Sequence, residues 1–340
     1  MTSSLVIQTS FLGDTILTTP LLSQLANRGP VDVVTTAAAA PVLAGHPAVR
    51  AVITYDKRGA DSGLIGFLRL TRRLREARYD AAYLAQGSLR SALLAFAARV
   101  PTRIGFVTSA GSALYTTKVV FRDDLHHAAR LVQLSRPNGR EPSDDETRPS
   151  LAPGEGERAI VTALLRESGV ADGERLIALA PGSVWATKRW PYYAEVATLL
   201  AAVGRIVIVG GSADSSLATE IRAVVPNAID ATRTLTLLAS AALIDRCAVI
   251  VTNDSAPLHL ASAMGTPTVA LFGPTVPDFG FGPLAPAKEI VGHQSLACRP
   301  CDRHGPRRCP LKHFRCMREL TPELVAERAR AILLTRDALA

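Results

Sequence analysis

Short apolar runs rich in β-branched residues alternate along the chain with segments in which apolar residues recur every three or four positions. The runs predict strands, and the segments between them predict helices. The predicted strands are residues 5–7, 31–34, 51–53, 81–84, 176–179, 205–209, 248–251 and 268–272. The predicted helices include residues 14–25, 157–168, 192–202, 214–224 and 255–264. Regular alternation of this kind predicts βαβ units and an α/β fold with parallel sheets.

This alternation is interrupted over residues 136–156, where proline, glycine, aspartate and glutamate are frequent and apolar periodicity is lost. Such a composition is typical of a linker, and a chain of 340 residues has room for two domains. We therefore predict two Rossmann-like domains, an N-terminal one over residues 1–153 and a second over residues 154–320. We expect residues 321–340 to form a C-terminal helix that packs back on the N-terminal domain.

Basic residues are concentrated in two segments of the chain. Residues 298–318 contain seven Lys and Arg against one acidic residue, and residues 64–79 contain five Arg against one. Because the formal net charge is only +8, the rest of the chain is close to neutral. Together with an aromatic content of 5%, this distribution argues against a nucleic-acid partner and favours acidic ligands or an anionic surface.

Residues 64–79 predict an amphipathic helix with a basic side. The apolar side holds Phe67, Leu70, Thr71 and Leu74, and the basic side holds Arg69, Arg72 and Arg73. Such a helix is either an ordinary solvated surface helix or one that docks on anionic lipid headgroups. No apolar run approaches the length of about 20 residues that spans a bilayer, and the first residues lack the features of a signal peptide. We therefore expect a cytoplasmic protein.

The turns that follow predicted strands are where functional side chains are expected, because ligands of open α/β sheets bind beyond the carboxyl ends of the strands. The first such turn, residues 9–15, contains Gly13, which lets the backbone approach a ligand. It also contains Asp14, which can cap the following helix or face the ligand. No strand exit carries the G-x-G-x-x-G pattern, which argues against a dinucleotide-dependent dehydrogenase.

Two later turns have the composition of anion-binding sites. Residues 180–191 combine small and hydroxyl residues with Lys188, whose compact charge suits a phosphate group; an exposed basic loop is the alternative. Within residues 251–260, Ser255 is placed to cap a helix whose free amide groups and positive dipole end suit a diphosphate. His259, one turn further, either packs within the protein or contacts the ligand.

Four of the five cysteines, Cys298, Cys301, Cys309 and Cys316, lie within a short stretch of the chain, whereas Cys247 falls in an apolar run that predicts a buried position. Four thiolates within reach of one another can hold a structural zinc or iron ion tetrahedrally. The second pair lacks the C-x2-C spacing, so reduced thiols and a local disulfide remain alternatives.

The three turns form an ordered set of motifs with two further segments. The set comprises Ser10-Phe11-Leu12-Gly13-Asp14, Pro181-Gly182-Ser183 with Lys188-Arg189-Trp190-Pro191, residues 253–261, Gly265-Thr266-Pro267, and Leu271-Phe272-Gly273-Pro274-Thr275. In this order the motifs resemble those of the ADP-heptose:lipopolysaccharide heptosyltransferases, glycosyltransferase family 9. The cysteine-rich tail is similar to that of the family's heptosyltransferase II branch. The resemblance implies a GT-B fold, in which two Rossmann-like domains with parallel sheets face a central cleft.

The resemblance also implies roles for individual residues. It places the acceptor, a core oligosaccharide linked to lipid A, at Ser10, Gly13 and Asp14, with Asp14 as the catalytic base. It places the ADP-heptose donor at Ser183, Thr187, Lys188, Asp214, Asp254, Ser255, Ala256 and His259, with Lys188 near the phosphates. Many relatives have glycine where Ala256 stands, and a methyl group there restricts how closely the backbone can approach the diphosphate.

These roles predict an inverting glycosyltransferase that adds a second heptose to the first in the inner core of lipopolysaccharide. Asp14 takes the proton of the attacking hydroxyl while Lys188 and the helix start at Ser255 stabilise the departing ADP, so catalysis needs no metal or other cofactor. Peripheral contact with the cytoplasmic face of the anionic inner membrane is expected. The alternatives are a GT-B transferase of another nucleotide-sugar onto a different glycolipid or glycoprotein, and a non-catalytic nucleotide-binding protein with a cysteine-rich structural finger.

Overall fold

The structure, a computed structural model, describes residues 1–57 and 59–337. It divides into two compact units, of which the first covers Met1–Ala152 and the second begins at Pro153. The strands of the first unit are β1 (Ser4–Gln8), β2 (Val31–Thr35), β3 (Ala51–Thr54), β4 (Ala81–Leu84), β5 (Thr102–Phe106) and β6 (Thr117–Val119). Its α-helices are α1 (Leu12–Ala26), α2 (Gly63–Glu76), α3 (Leu89–Ala97), α4 (His127–Gln133) and α5 (Asp144–Thr147).

The second unit repeats this alternation of strands and helices. Its strands are β7 (Leu176–Ala180), β8 (Arg205–Ile208), β9 (Ile229–Asp230), β10 (Val249–Asn253), β11 (Thr268–Phe272) and β12 (Lys288–Gly292). Its α-helices are α6 (Glu155–Glu167), α7 (Tyr193–Leu200), α8 (Ser215–Val224), α9 (Leu237–Asp245), α10 (Ala256–Met264), α11 (Arg315–Arg318) and α12 (Pro322–Asp337).

Each unit contains one parallel six-stranded sheet, with strand orders β3-β2-β1-β4-β5-β6 and β12-β11-β10-β7-β8-β9. Counted from the first strand of each unit, the two orders are the same doubly wound Rossmann order. The predicted α/β class is therefore confirmed. The order reverses between β1 and β4 in the first sheet and between β7 and β10 in the second, which makes these two places the switch points where ligands of such sheets bind.

The central strands are buried along their whole length, as expected of parallel strands covered on both faces. They are the apolar runs that the sequence pattern detects. The pattern does not detect β5, β6, β9 and β12. Strand β5 begins with polar Thr102 and Arg103, β6 and β9 have only three and two residues, and β12 is a partly exposed edge strand that begins with two charged residues.

Residues 136–156 differ from the predicted linker. They include α5, and the backbone N–H of Ser150 donates to Thr19 Oγ1 of α1 at 3.0 Å, so most of this segment belongs to the first unit. The proline-rich and acidic sequence here forms a loop that packs on the first unit and is not a flexible linker. None of the helices described over residues 1–57 and 59–337 is long and apolar enough to cross a membrane.

The predicted C-terminal helix is present as α12. It lies within the second unit, against α7 and the strands β10 to β12. Val325, Ala326 and Ala329 are fully buried in the same apolar core as Ile177 and Val249. The small residues on this side of α12 let it fit closely onto the second sheet, which explains its position.

Candidate functional site

Three turns of the second unit meet at the switch point of its sheet. Lys188, in the short 3₁₀ helix Ala186–Lys188 after β7, donates from Nζ to Asp254 Oδ2 after β10 at 2.6 Å. Thr275, after β11, donates from Oγ1 to the same carboxylate oxygen at 2.7 Å. The side chains of Lys188 and Asp254 are only 11% and 10% exposed. The sequence predicted both residues at a donor site but not their ion pair, and it gave Thr275 no role.

Asn253 joins the first two of these turns. Its fully buried side chain donates from Nδ2 to the carbonyl of Pro181 at 2.9 Å and accepts from the backbone N–H of Trp190 at 3.2 Å. One amide group thereby fixes both ends of the turn that carries Lys188. A side chain that both donates and accepts is needed for this, and sequence reasoning assigned Asn253 no such function.

Ser255 stands at the N-cap position of α10, but it does not cap the helix with its side chain as predicted. Its hydroxyl instead donates to the carbonyl of Asn253 at 3.4 Å. Ala256 and Pro257 form the start of the helix, and the positive end of the helix dipole lies beside Asp254. His259 is buried, and its ring packs edge-on against Phe281 with 6.4 Å between ring centroids.

Asp214 lies next to the turn after β7. Its carboxylate accepts from the backbone N–H of Gly211 at 2.9 Å and thereby caps the short 3₁₀ helix Ser212–Asp214. A Cβ at Gly182 would lie 2.3 Å from Asp214 Oδ1, and a Cβ at Gly210 would lie 2.7 Å from its Oδ2. Both glycines are thus required by the close approach of this carboxylate. This packing brings Asp214, a predicted donor-binding residue, next to the turn that carries Lys188.

The segment 298–318, which we call the cysteine-rich segment, also contacts this turn. Thr187 donates from Oγ1 to the carbonyl of Pro306, and a Cβ at Gly305 would lie 3.3 Å from Lys188 Cε. Ser183, the remaining predicted donor residue, is half-buried in the same turn, and its carbonyl accepts from Arg189 Nε at 2.8 Å. The cysteine-rich segment therefore forms one wall of the candidate donor site.

The cysteines themselves are free thiols. The structure pairs none of the five cysteines, all of which lie among its described residues, so the local disulfide is not formed. Cys298 Sγ lies 4.0 Å from His313 Nε2, yet the described part of the chain has no group of three or more His, Cys, Asp or Glu arranged to hold a metal ion. Burial raises the pKa of Cys316 to about 11 and that of Cys247 to about 12, which disfavours the thiolate form.

In the first unit, polar side chains gather at the switch point between β1 and β4. Thr9, after β1, donates from Oγ1 to Gln86 Oε1 after β4, and Lys57 Nζ donates to the carbonyl of Thr9 at 3.0 Å. Ser10 is half-buried in the same turn, and Gly13 is half-buried at the start of α1. A cation and several hydroxyl and amide groups thus surround the turn that was predicted to hold the acceptor.

Asp14 is the third residue of α1, which begins at Leu12, two residues earlier than predicted. Its Oδ2 accepts from the backbone N–H of Phe11 at 3.2 Å, and its Oδ1 lies 3.7 Å from Nε2 of His127 in α4. The side chains of Asp14 and His127 are 16% and 14% exposed. The carboxylate therefore caps the helix with one oxygen and faces an imidazole with the other. His127 was missed; its signal was the His126-His127 pair at the start of α4.

Two doubly wound units, each with polar turns converging at its switch point, define the class of GT-B glycosyltransferases. The family model of glycosyltransferase family 9 (heptosyltransferase) matches residues 67–312. The chain belongs to this family, and the resemblance inferred from its ordered motifs is confirmed.

Named relatives match between 81% and 98% of the chain. The lipopolysaccharide heptosyltransferase 2 of Salmonella typhimurium is 32% identical over 294 residues, which cover 81% of this chain and 84% of that protein. The lipopolysaccharide heptosyltransferase 2 of Escherichia coli is 30% identical over 361 residues, covering 98% and 99%. The solved structure of E. coli ADP-heptose lipopolysaccharide heptosyltransferase II, 27% identical, covers 99% of this chain and 100% of that one with a TM-score of 0.78.

Proposed function

We propose that the protein transfers heptose from ADP-heptose onto the first heptose of the lipopolysaccharide inner core, with inversion at the anomeric carbon. The observation that carries this proposal is the buried cluster of Lys188, Asp254 and Thr275 at the switch point of the second sheet, in a chain of the heptosyltransferase family. A lysine ammonium has three N–H donors, and only one is engaged by Asp254. The others are available to the donor diphosphate, beside the positive end of α10.

The proposed reaction is a direct displacement. The acceptor oxygen forms a bond to the anomeric carbon as the bond from that carbon to ADP breaks, and Asp14 takes the hydroxyl proton. Lys188 and the start of α10 stabilise the negative charge that develops on ADP. The imidazole of His127 lies beside the Asp14 carboxylate, and Lys57 places a positive charge at the turn after β1.

We further infer that α2 contacts the anionic cytoplasmic face of the inner membrane. Leu64, Ile65 and Leu68 are 71%, 74% and 54% exposed, although they are large and apolar. They stand beside the exposed side chains of Arg69 and Arg72. Apolar side chains next to arginines are the composition of a helix that lies in a membrane interface. The alternative from the sequence analysis is an ordinary solvated surface helix. Such a helix does not account for three large apolar side chains that are exposed within five residues.

The deciding experiment offers purified protein a series of nucleotide-sugars and acceptors and identifies the products by mass spectrometry. We expect transfer of one heptose from ADP-heptose to a core acceptor that ends in the first heptose. An acceptor that lacks this heptose is the matched control and should remain unmodified. Transfer from a UDP-sugar would favour another GT-B transferase, and donor binding without transfer to any acceptor would favour a non-catalytic protein.

A further inference from the structure

Arg299, near the start of the cysteine-rich segment, donates hydrogen bonds from its guanidinium to backbone carbonyl groups. Nη2 donates to the carbonyls of Phe272 at 2.8 Å and Thr275 at 3.0 Å, Nε donates to the carbonyl of Gly273, and Nη1 donates to that of His293. Arginine is suited to this task because its planar group carries five N–H donors in a fixed geometry.

The surrounding residues are adapted to this side chain. A Cβ at Gly292 would lie 3.1 Å from Arg299 Nη2, so the glycine at the end of β12 leaves the room that the guanidinium occupies. The backbone N–H of Cys301 donates to the carbonyl of Pro274 at 2.9 Å, which adds a second link between the cysteine-rich segment and the turn after β11. This turn is therefore held at four consecutive residues, 272–275.

The turn held by Arg299 carries Thr275, whose hydroxyl donates to the Asp254 carboxylate that holds Lys188. Three consecutive contacts thus connect Arg299 to the ammonium group of the donor site. We propose that Arg299 is a positioning residue for the donor: it fixes the turn after β11 so that Thr275 and Asp254 hold Lys188 in place for the diphosphate. This inference rests on the proposed function and gives the cysteine-rich segment a task in the same reaction.

The primary test compares Arg299→Met and Arg299→Lys with Arg303→Met, which removes the same charge from an exposed position of the same segment. The measurements are the Kd for ADP by calorimetry, the KM for each substrate, and the melting temperature. We expect Arg299→Met to raise the Kd for ADP and the donor KM by about tenfold or more, with little change in the acceptor KM. Arg299→Lys should not restore ADP affinity, because one ammonium cannot replace the four bonds. Arg303→Met should bind ADP like the unmodified protein.

A second measurement combines Arg299→Lys with Thr275→Val. If Arg299 acts through Thr275, the double variant loses less binding free energy for ADP than the sum of the losses in the two single variants. Purely additive losses would overturn the inference. So would a folded Arg299→Met or Arg299→Lys protein with a lower melting temperature but a Kd for ADP within about twofold of normal.

Lys188→Met separates failure of this inference from failure of the proposed function. If Lys188→Met weakens ADP binding and the Arg299 variants do not, only the positioning role is wrong. If neither change affects ADP binding, the donor site itself is wrongly assigned. Should Arg299→Met fail to fold, Arg299→Lys and Thr275→Val supply the same comparison.

Discussion

Lys188 and Asp254 neutralise each other within the interior of the second unit, so each depends on its partner. Lys188→Met leaves a buried carboxylate without its cation, and we expect it to lower the free energy of unfolding by about 3–5 kcal/mol. Replacing both residues, as Lys188→Met with Asp254→Leu, should recover most of that stability, because no charge is then left buried. ADP affinity should stay low in both variants.

Denaturant unfolding and calorimetry with ADP measure the two effects separately. A double variant that binds ADP normally would show that the pair is structural and would remove Lys188 from the donor site.

The Asp14 carboxylate caps α1 and is also the proposed catalytic base, and substitution by asparagine separates these two roles. Asp14→Asn keeps an oxygen that can accept from Phe11 N–H, so we expect the melting temperature and the Kd for ADP to change little. It removes the proton acceptor, so turnover should fall about 10²–10⁴-fold. Steady-state rates at saturating substrates measure this loss.

The matched control is Glu157→Gln. Glu157 is also the third residue of its helix, α6, and its carboxylate accepts from Gly154 N–H at 3.0 Å. It should leave turnover unchanged. Near-normal turnover in folded Asp14→Asn would exclude Asp14 as the base.

Asp14, Lys188 and Asp254 could be singled out in the sequence because each lies in the turn that follows a predicted strand. The contacts that these residues make could not be predicted. Asp254 lies 66 positions from Lys188, and His127 lies far from Asp14 in the chain. Arg299 acts on backbone carbonyls, which every residue has, so no sequence pattern marks it.

At the scale of elements, α2 combines a buried side with an exposed one that is both basic and apolar. Reversing the charge of Arg69, Arg72 and Arg73 to Glu should weaken binding to vesicles of phosphatidylglycerol and phosphatidylcholine by about 1 kcal/mol per arginine removed, and by less at high salt. Leu64→Ser with Ile65→Ser should weaken binding without changing its salt dependence. Cosedimentation over a series of salt concentrations measures both.

Arg222→Glu, on the exposed side of α8, is the control for a general charge effect and should leave vesicle binding almost unchanged. If all variants bind the anionic vesicles as well as the unmodified protein does, α2 is an ordinary surface helix. The same conclusion follows if the protein binds vesicles of phosphatidylcholine alone equally well.

Elements could be predicted where local pattern and tertiary burial agree. Strands β1, β7 and β10 are apolar runs because both faces of the sheet are covered. For α12 the pattern predicted a helix, but the choice of surface on which it packs depends on shapes that the sequence does not display. The same is true of residues 136–156, where loop composition alone does not distinguish a packed segment from a linker.

At the scale of the whole molecule, the alternation of strands and helices was sufficient to predict two Rossmann-like halves, because the βαβ connection is local and has a fixed handedness. The order of strands within each sheet was not readable in the same way, since β1 pairs with β4 and β7 with β10 across long stretches of chain. That pairing brings the polar turns together and therefore creates both candidate sites.

The shared strand order of the two units affects how the protein can evolve. In each unit, the turn after the first strand leads to a candidate site residue, Asp14 in the first unit and Lys188 in the second. Within the described residues, the apolar core around Ile7 and Leu84 contains residues of the first unit alone, and the core around Leu179 and Val251 contains residues of the second unit alone. A substitution in the turn after β1 therefore acts on a different apolar core from a substitution in the turn after β7. On the proposed function, we expect substitutions that change the acceptor to be compatible with an unchanged donor turn in the second unit.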